Sequence, residues 1–142
     1  MKIKEIMTRK VEVVRPNDPL QTVAQKMKIY DIGFLPVFDE DRLIGVVSDR
    51  DIVIRALAAG INPKAALGRD YITAPAIYCF DDQDVGEATR LMYENQIRRL
   101  VVLSRGDKRM VGIISLGDLV GNVDVKLSNN VLQSIFEPIR VR

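Results

Sequence analysis

The chain has 142 residues, with 21 Lys or Arg against 19 Asp or Glu, for a net charge of +2 at pH 7. Hydrophobic residues at 47% and charged residues at 28% match an ordinary globular domain rather than a disordered or fibrous chain. The absence of His excludes a Ser–His–Asp triad, a His general base and a His metal ligand, and the single Cys79 excludes an internal disulfide or a multi-Cys metal site. The opening Met1-Lys2-Ile3-Lys4-Glu5 places charge where an apolar signal core would begin, and no apolar stretch approaches the roughly 18–20 residues of a membrane span. A cytoplasmic protein without membrane contact is the expectation. A charge this close to balance permits nucleic acid as a partner without implying it.

The sequence contains its own pattern twice. A shift of 65 aligns Thr8 with Thr73, Leu20 with Val85, Val23 with Ala88, Met27 with Met92, Ile32 with Ile97 and Leu35 with Leu100. After a two-residue insertion, Gly45-Val-Val-Ser48-Asp-Arg-Asp51 falls on Gly112-Ile-Ile-Ser115-Leu-Gly-Asp118. Two tandem repeats are expected, at residues 1–65 and 66–124, followed by a helical tail at 125–142.

In chain order, each repeat opens on a short β-prone run, Val11–Val14 and then Ala76–Phe80. In the first repeat Asp18 reads as a helix N-cap with Pro19 at the first helical position, followed by an apolar stripe of Leu20, Val23, Ala24 and Met27. In the second, Asp82 or Asp84 caps a helix whose inner face carries Val85, Ala88 and Met92. Two strands joined by a polar turn come next, Phe34–Phe38 with Leu43–Val47, and Leu100–Leu103 with Met110–Ile114. A second helix follows each pair, Asp49–Ala59 (stopped by Gly60 and Pro63) and Leu116–Gly121. The expected fold is α+β, built from two β-α-β-β-α repeats that pack as one module, because one repeat cannot bury its sheet face alone. In the tail, Leu127, Val131, Leu132, Ile135 and Phe136 form an apolar stripe that either packs on its own domain or offers an interface.

The sharpest motif is Gly-x-x-Ser-x-x-Asp at each strand-to-helix junction. A Ser followed three residues later by an acidic residue is a capping box, which satisfies backbone N–H groups at a helix start. The same groups suit a nucleotide: N–H donors and a hydroxyl for phosphate, a carboxylate for ribose hydroxyls, and a Gly that lets a ligand approach the backbone. Both readings stand at this point. Arg98 and Arg99, at a strand start in the second repeat, either face solvent or clamp phosphate through bidentate bonds. Together with Arg105, Lys108 and Arg109 they also admit a nucleic-acid reading, which Asp107 interrupts. Cys79, between Tyr78 and Phe80, reads as a small buried hydrophobe rather than a redox sensor. The chain shows no P-loop, no Gly-x-Gly-x-x-Gly and no activated nucleophile pair, so no enzyme is expected.

The duplicated unit, the Phe34-Leu35-Pro36-Val37 run and the Gly-Val-Val-Ser-Asp-Arg-Asp junction resemble tandem cystathionine-β-synthase (CBS) domains, the pair known as a Bateman module. The second repeat is also similar to the last repeat of the γ subunit of AMP-activated protein kinase. The resemblance implies a pseudo-two-fold regulatory module that binds an adenosyl ligand (AMP, ADP, ATP or S-adenosylmethionine) in clefts between its repeats. It further implies a homodimer that signals to a separate protein. Carried over by position, it implies one cleft with Asp118 on the ribose, Ser115 and Gly117 near the phosphate, and Thr8, Val13, Ile32 and Phe34 along the adenine. The other cleft would use Asp51, Ser48 and Arg50, with Thr73, Tyr78 and Ile97 on the base side. The repeats also depart from each other. Pro36 is answered by Val101, and Gly33-Phe34 by Arg98-Arg99, so the clefts are expected to differ chemically.

Overall fold

A computed structural model describes residues 1–122 and 124–135. The chain forms two compact units that do not follow the repeat order: a middle unit, Glu12–Ala76, and a split unit made of Met1–Val11 with the chain from Ile77 on. The expected α+β class is what the structure has.

In the middle unit the apolar stripe of the first repeat becomes α1 (Leu20–Tyr30), which buries Leu20, Val23 and Met27. Strands β1 (Phe34–Asp39) and β2 (Arg42–Ser48) pair antiparallel, from Phe34 opposite Ser48 to Asp39 opposite Arg42. The turn between them puts Glu40 at φ 54°. Four consecutive buried residues in β1 mark a strand covered on both faces, and Leu35, Val37 and Val47 cluster with Val14, Val23 and Met27. The next helix begins at Asp49 and is π-helical over Asp51–Leu57, with Ala58 N–H bonded to Val53 O at 2.9 Å and Ile61 N–H to Ala56 O at 3.1 Å. Gly60, at φ 76°, ends it as expected.

In the split unit β3 (Tyr78–Phe80) runs parallel to β4 (Arg99–Leu103), which pairs antiparallel with β5 (Met110–Ser115). Helix α2 (Val85–Asn95) is capped by Asp84, whose side chain accepts from Gly86 N–H at 2.9 Å. Asp82 instead forms a bidentate pair with Arg105, at 2.8 and 2.9 Å. Helices α3 (Leu116–Asn122) and α4 (Val125–Ile135) follow. In α4, Leu132 packs against this unit's core, and buried Ser128 donates its hydroxyl to Val120 O at 3.2 Å. Among the tail residues expected to form the stripe, the side chains of Leu127, Val131 and Ile135 and all of Phe136 lie outside the described residues.

Two local expectations are corrected. Asp18 does not cap α1: its carboxylate accepts from Arg15 N–H at 2.9 Å, and Pro19 takes the cap position. The leading N–H groups of Leu20 and Gln21 are accepted instead by the carbonyls of Ala66, at 2.8 Å, and Pro63, at 3.0 Å. The strand expected at Val11–Val14 shrinks to a single bridge from Val14 to Val37. Its counterpart β3 persists because the next ladder donor is Asp81, bonded to Leu103 O at 3.0 Å; the equivalent residue is Pro16, which has no N–H.

The split unit exists because the leading segments are exchanged. Thr8 exchanges two backbone hydrogen bonds with Ile113 of β5, at 2.8 and 2.9 Å, and Thr73 does the same with Val46 of β2, at 2.8 and 3.0 Å. Each segment docks on the second strand of the other repeat. Ile3 and Met7 thereby enter the core around Leu100, Val102 and Ile114. Room for these segments comes from two glycines. A Cβ at Gly45 would lie 2.7 Å from Thr73 O, and one at Gly112 would lie 2.7 Å from Thr8 O and 2.8 Å from Met7 Sδ.

Gly45→Ala and Gly112→Ala should therefore each cost about 1–3 kcal/mol by overpacking. Gly121→Ala in α3, where nothing lies within 4 Å of the added Cβ, should be neutral or stabilising. Urea titration of the three variants checks this; equal midpoints for all three would contradict it. Cys79 supplies a second test. Burial, reinforced by the charge of Glu87, pushes its thiol from 9.0 up to about 12. A thiol raised on folding favours the folded state below the unfolded value and loses that contribution as pH climbs from about 9 toward 12. Cys79→Ala should lose less stability between pH 9 and 11 than the parent chain, measured by denaturant titration at each pH.

Candidate functional site

The candidate site lies at the two strand-to-helix junctions, one in each unit. At the β5–α3 junction Asp118 Oδ2 accepts from Ser115 N–H at 2.9 Å, and Ser115 Oγ accepts from Asp118 N–H at 3.1 Å. At the β2–π-helix junction Asp51 Oδ2 accepts from Ser48 N–H, and Ser48 Oγ from Asp51 N–H, both at 3.0 Å. Both motifs are thus closed capping boxes. The recurring glycines receive a different explanation from ligand approach, since the space over Gly45 and Gly112 holds the chain's own Thr73 and Thr8 carbonyls.

The carboxylates differ in their free oxygen. Asp51 Oδ1 lies 3.5 Å from Arg55 Nη1, one turn on, and the same guanidinium nitrogen donates to the carbonyls of Tyr71 and Ile72, both at 3.3 Å. Sequence reasoning missed Arg55, although the i, i+4 spacing from Asp51 signals such a pair. The residue equivalent to Arg55 is Asn122, whose amide donates to Asp118 O at 2.7 Å and leaves the carboxylate alone. Among the described residues Asp118 Oδ1 accepts from no side chain.

Strand register brings the second-repeat cations to this junction. Arg99 stands opposite Ser115, and the carbonyl of Arg98 accepts from Leu116 N–H at 2.8 Å. Both Arg residues are exposed, as is Gly117, where an added Cβ would meet only Ser115 Oγ at 3.6 Å. Thr8 joins the same unit through Ile113, and Ile97 and Tyr78 belong to it as well. The middle unit holds Ser48, Arg50 and Asp51 together with Phe34 opposite Ser48, Ile32, Val13 and Thr73. The two residue sets carried over by resemblance thus each draw on both units.

Chemically, the β5–α3 junction offers a half-buried carboxylate with one oxygen outside the capping box, at a junction whose backbone also carries Arg98 and Arg99. That is an acceptor for paired hydroxyls next to donors for phosphate. Two of the other cations weighed for nucleic acid are engaged elsewhere. Arg105 holds Asp82 and lies 4.3 Å over the Phe80 ring, and Arg109 Nε is 3.7 Å from Asp107. Among the described residues no group of His, Cys, Asp and Glu is placed to hold a metal ion, and no helix is long and apolar enough to cross a membrane.

The chain is similar to several known proteins. Hypoxic response protein 1 of Mycobacterium tuberculosis is 34% identical over 137 residues, covering 96% of this chain and 94% of that protein. The crystal structure of Hypoxic Response Protein I, with two coordinated zinc ions, matches at TM-score 0.77 and 35% identity, over 87% of this chain and 100% of that one. The uncharacterized protein YlbB of Bacillus subtilis is 37% identical over 120 residues, 83% of this chain and 79% of that protein. The fold also matches the CBS domain pair of protein MJ0100, solved with 5'-methylthioadenosine and S-adenosyl-L-methionine, at TM-score 0.73 and 23% identity over 84% of this chain and 92% of that one. The CBS domain model itself fits twice, at residues 3–57 and 68–124. With both junctions, both hairpins and both matches in place, the chain belongs to the CBS domain family as a tandem pair.

Proposed function

We propose that this chain is a non-catalytic, cytoplasmic regulatory module that binds an adenosyl nucleotide of the AMP, ADP or ATP class, or S-adenosylmethionine, and passes the signal to a separate protein. The observation that supports it best is the Asp118 Oδ1 left outside the capping box, at a junction whose backbone also carries Arg98, Arg99, Ser115 and Gly117. Asp118 accepts the ribose hydroxyls and the guanidinium groups hold phosphate. Thr8, Val13, Ile32 and Phe34 line the adenine. The second set is Asp51, Ser48 and Arg50 with Thr73, Tyr78 and Ile97. That the CBS pair of MJ0100 was solved with two adenosyl compounds supports the ligand class. Repeats 1–65 and 66–124 with a tail at 125–142 remain the proposed organisation.

A scaffold is the second reading, favoured by the two closed capping boxes, which already give Ser48, Asp51, Ser115 and Asp118 a structural role. Thermal shift separates the two. A nucleotide at 100 times its Kd should stabilise the chain by ~2.7 kcal/mol, and no shift with AMP, ADP, ATP, S-adenosylmethionine or NADH at millimolar concentration leaves the scaffold. Asp118→Asn keeps a cap acceptor but removes the charge. AMP affinity should fall by ~1.5–3 kcal/mol, roughly 10- to 150-fold, whereas a cap alone predicts a stability cost of ~0.5–1 kcal/mol and unaltered affinity. Asp51→Asn should cost less affinity, because Arg55 already engages that carboxylate. Arg99→Ala should weaken AMP and spare adenosine in the same calorimetry.

The module is further proposed to be a homodimer. Exposed Val53, Ile54 and Leu57 along the π-helical segment give the apolar surface such a pair would cover. Sedimentation at tens of micromolar should show two chains; a monomer would remove the proposal.

A further inference from the structure

In the middle unit the Asp49 carboxylate closes over Gly33, the residue whose counterpart in the split unit is Arg98. Hydrogen bonding equates Gly33 with Arg98 and Asp49 with Leu116: Asp49 N–H donates to Gly33 O at 2.9 Å, as Leu116 N–H donates to Arg98 O at 2.8 Å. Over that bond, a Cβ at Gly33 would lie 2.5 Å from Asp49 Oδ2 and 2.9 Å from its Cγ. The carboxylate therefore fills the volume in which any side chain at residue 33 would begin. Its other oxygen is held by Arg50 N–H at 2.8 Å, which fixes the orientation. In the split unit the carboxylate is replaced by Leu116, which turns into the core, and the glycine by Arg98. Beside the junction, then, the middle unit sets a carboxylate against the residue that is an arginine in the split unit.

The remaining charges do not reverse this. In the middle unit Arg55 is engaged by Asp51 and the Tyr71 and Ile72 carbonyls, and Arg50 is exposed beside Asp49. In the split unit Arg99 adds a second cation opposite Ser115. A phosphate dianion at the middle-unit junction would be repelled by the Asp49 carboxylate.

We propose that the two junctions have diverged in the charge of the ligand they accept. Asp49 is the specificity-determining residue that bars a phosphate from the middle-unit junction, which takes an adenosyl compound without phosphate, while the split-unit junction takes the nucleoside phosphate. This rests on the reading that the junctions bind adenosyl compounds, and two probes keep the claims apart. Calorimetry on the full chain should find two sites for adenosine and one for AMP. Asp49→Asn and Asp49→Ala should each open a second AMP site, with affinity there raised about 10-fold or more, and leave adenosine unchanged. Asp41→Asn, an exposed carboxylate in the β1–β2 turn, should change neither titration. Circular dichroism confirms that the variants fold, and either Asp49 variant alone decides the outcome. AMP binding equally at two sites in the parent chain, or at one site in both Asp49 variants while adenosine fills two, overturns the proposal and leaves the adenosyl reading intact. Adenosine filling one site or none also overturns it, and none removes the adenosyl reading as well.

Discussion

The exchange of leading segments is the constraint on which the rest of the structure depends. Thr8 on Ile113 and Thr73 on Val46 are each a reciprocal pair of backbone hydrogen bonds, made at the strand residue next after a glycine. Without them β2 and β5 would each expose a row of unpaired backbone groups on one side. The core around Leu100 and Ile114 would also lack Ile3 and Met7. Neither repeat, cut at its sequence boundary, contains the segment that completes its own hairpin. Duplication of the sequence and interlocking of the chain are therefore one fact seen at two levels.

The junction motif sits two residues beyond this contact, which explains why Gly, Ser and Asp recur together although they serve different ends. Gly45 and Gly112 admit a carbonyl of the exchanged segment, while the Ser and Asp close the helix start. Structural duty uses one oxygen of each carboxylate. The second oxygen is where the copies part: Arg55 engages it at Asp51, and Asn122 bypasses it at Asp118. A capping role and a binding role are thus compatible at Asp118, because they draw on different atoms of the same side chain. At Asp51 a third element, the Tyr71–Ile72 backbone, shares the cation.

What was legible in the sequence was local and periodic. The stripes of Leu20, Val23 and Met27 and of Val85, Ala88 and Met92 fix two helices, and the polar turns between apolar runs fix two hairpins. The motif that led to the junctions rests on short spacings, and its hydrogen bonds are local too. What stayed hidden depends on chain segments far apart. Asp18 looks like a cap until Ala66 and Pro63 supply carbonyls from nearly fifty residues on. Val11–Val14 looks like a strand until Pro16 denies it the donor that Asp81 gives β3. The π-helical spacing over Asp51–Leu57 has no signature in an apolar stripe, which reports a face and not a bonding pattern. The contact between Asp49 and Gly33 joins residues on either side of a hairpin, and only the register of β1 on β2 brings them together.

The near balance of 21 basic and 19 acidic residues is likewise a sum over unlike neighbourhoods. On α2, Arg90 is held by Glu87 and Glu94; near β3, Arg105 is held by Asp82; and in the β4–β5 turn, Arg109 lies beside Asp107. Exposed pairs of this kind contribute little to stability, but they remove cations from any extended basic surface. Lowered pKa values follow the same pairing: Asp82 and Glu87 are pulled below the usual carboxylate range first by hydrogen bonds from Arg105 and Arg90. Arg99, facing Ser115 across the ladder, is not drawn into that surface pairing, and Asp49 faces a glycine rather than a cation. A chain of this composition therefore sets Arg98 and Arg99 at one junction and closes the Asp49 carboxylate over Gly33 at the other.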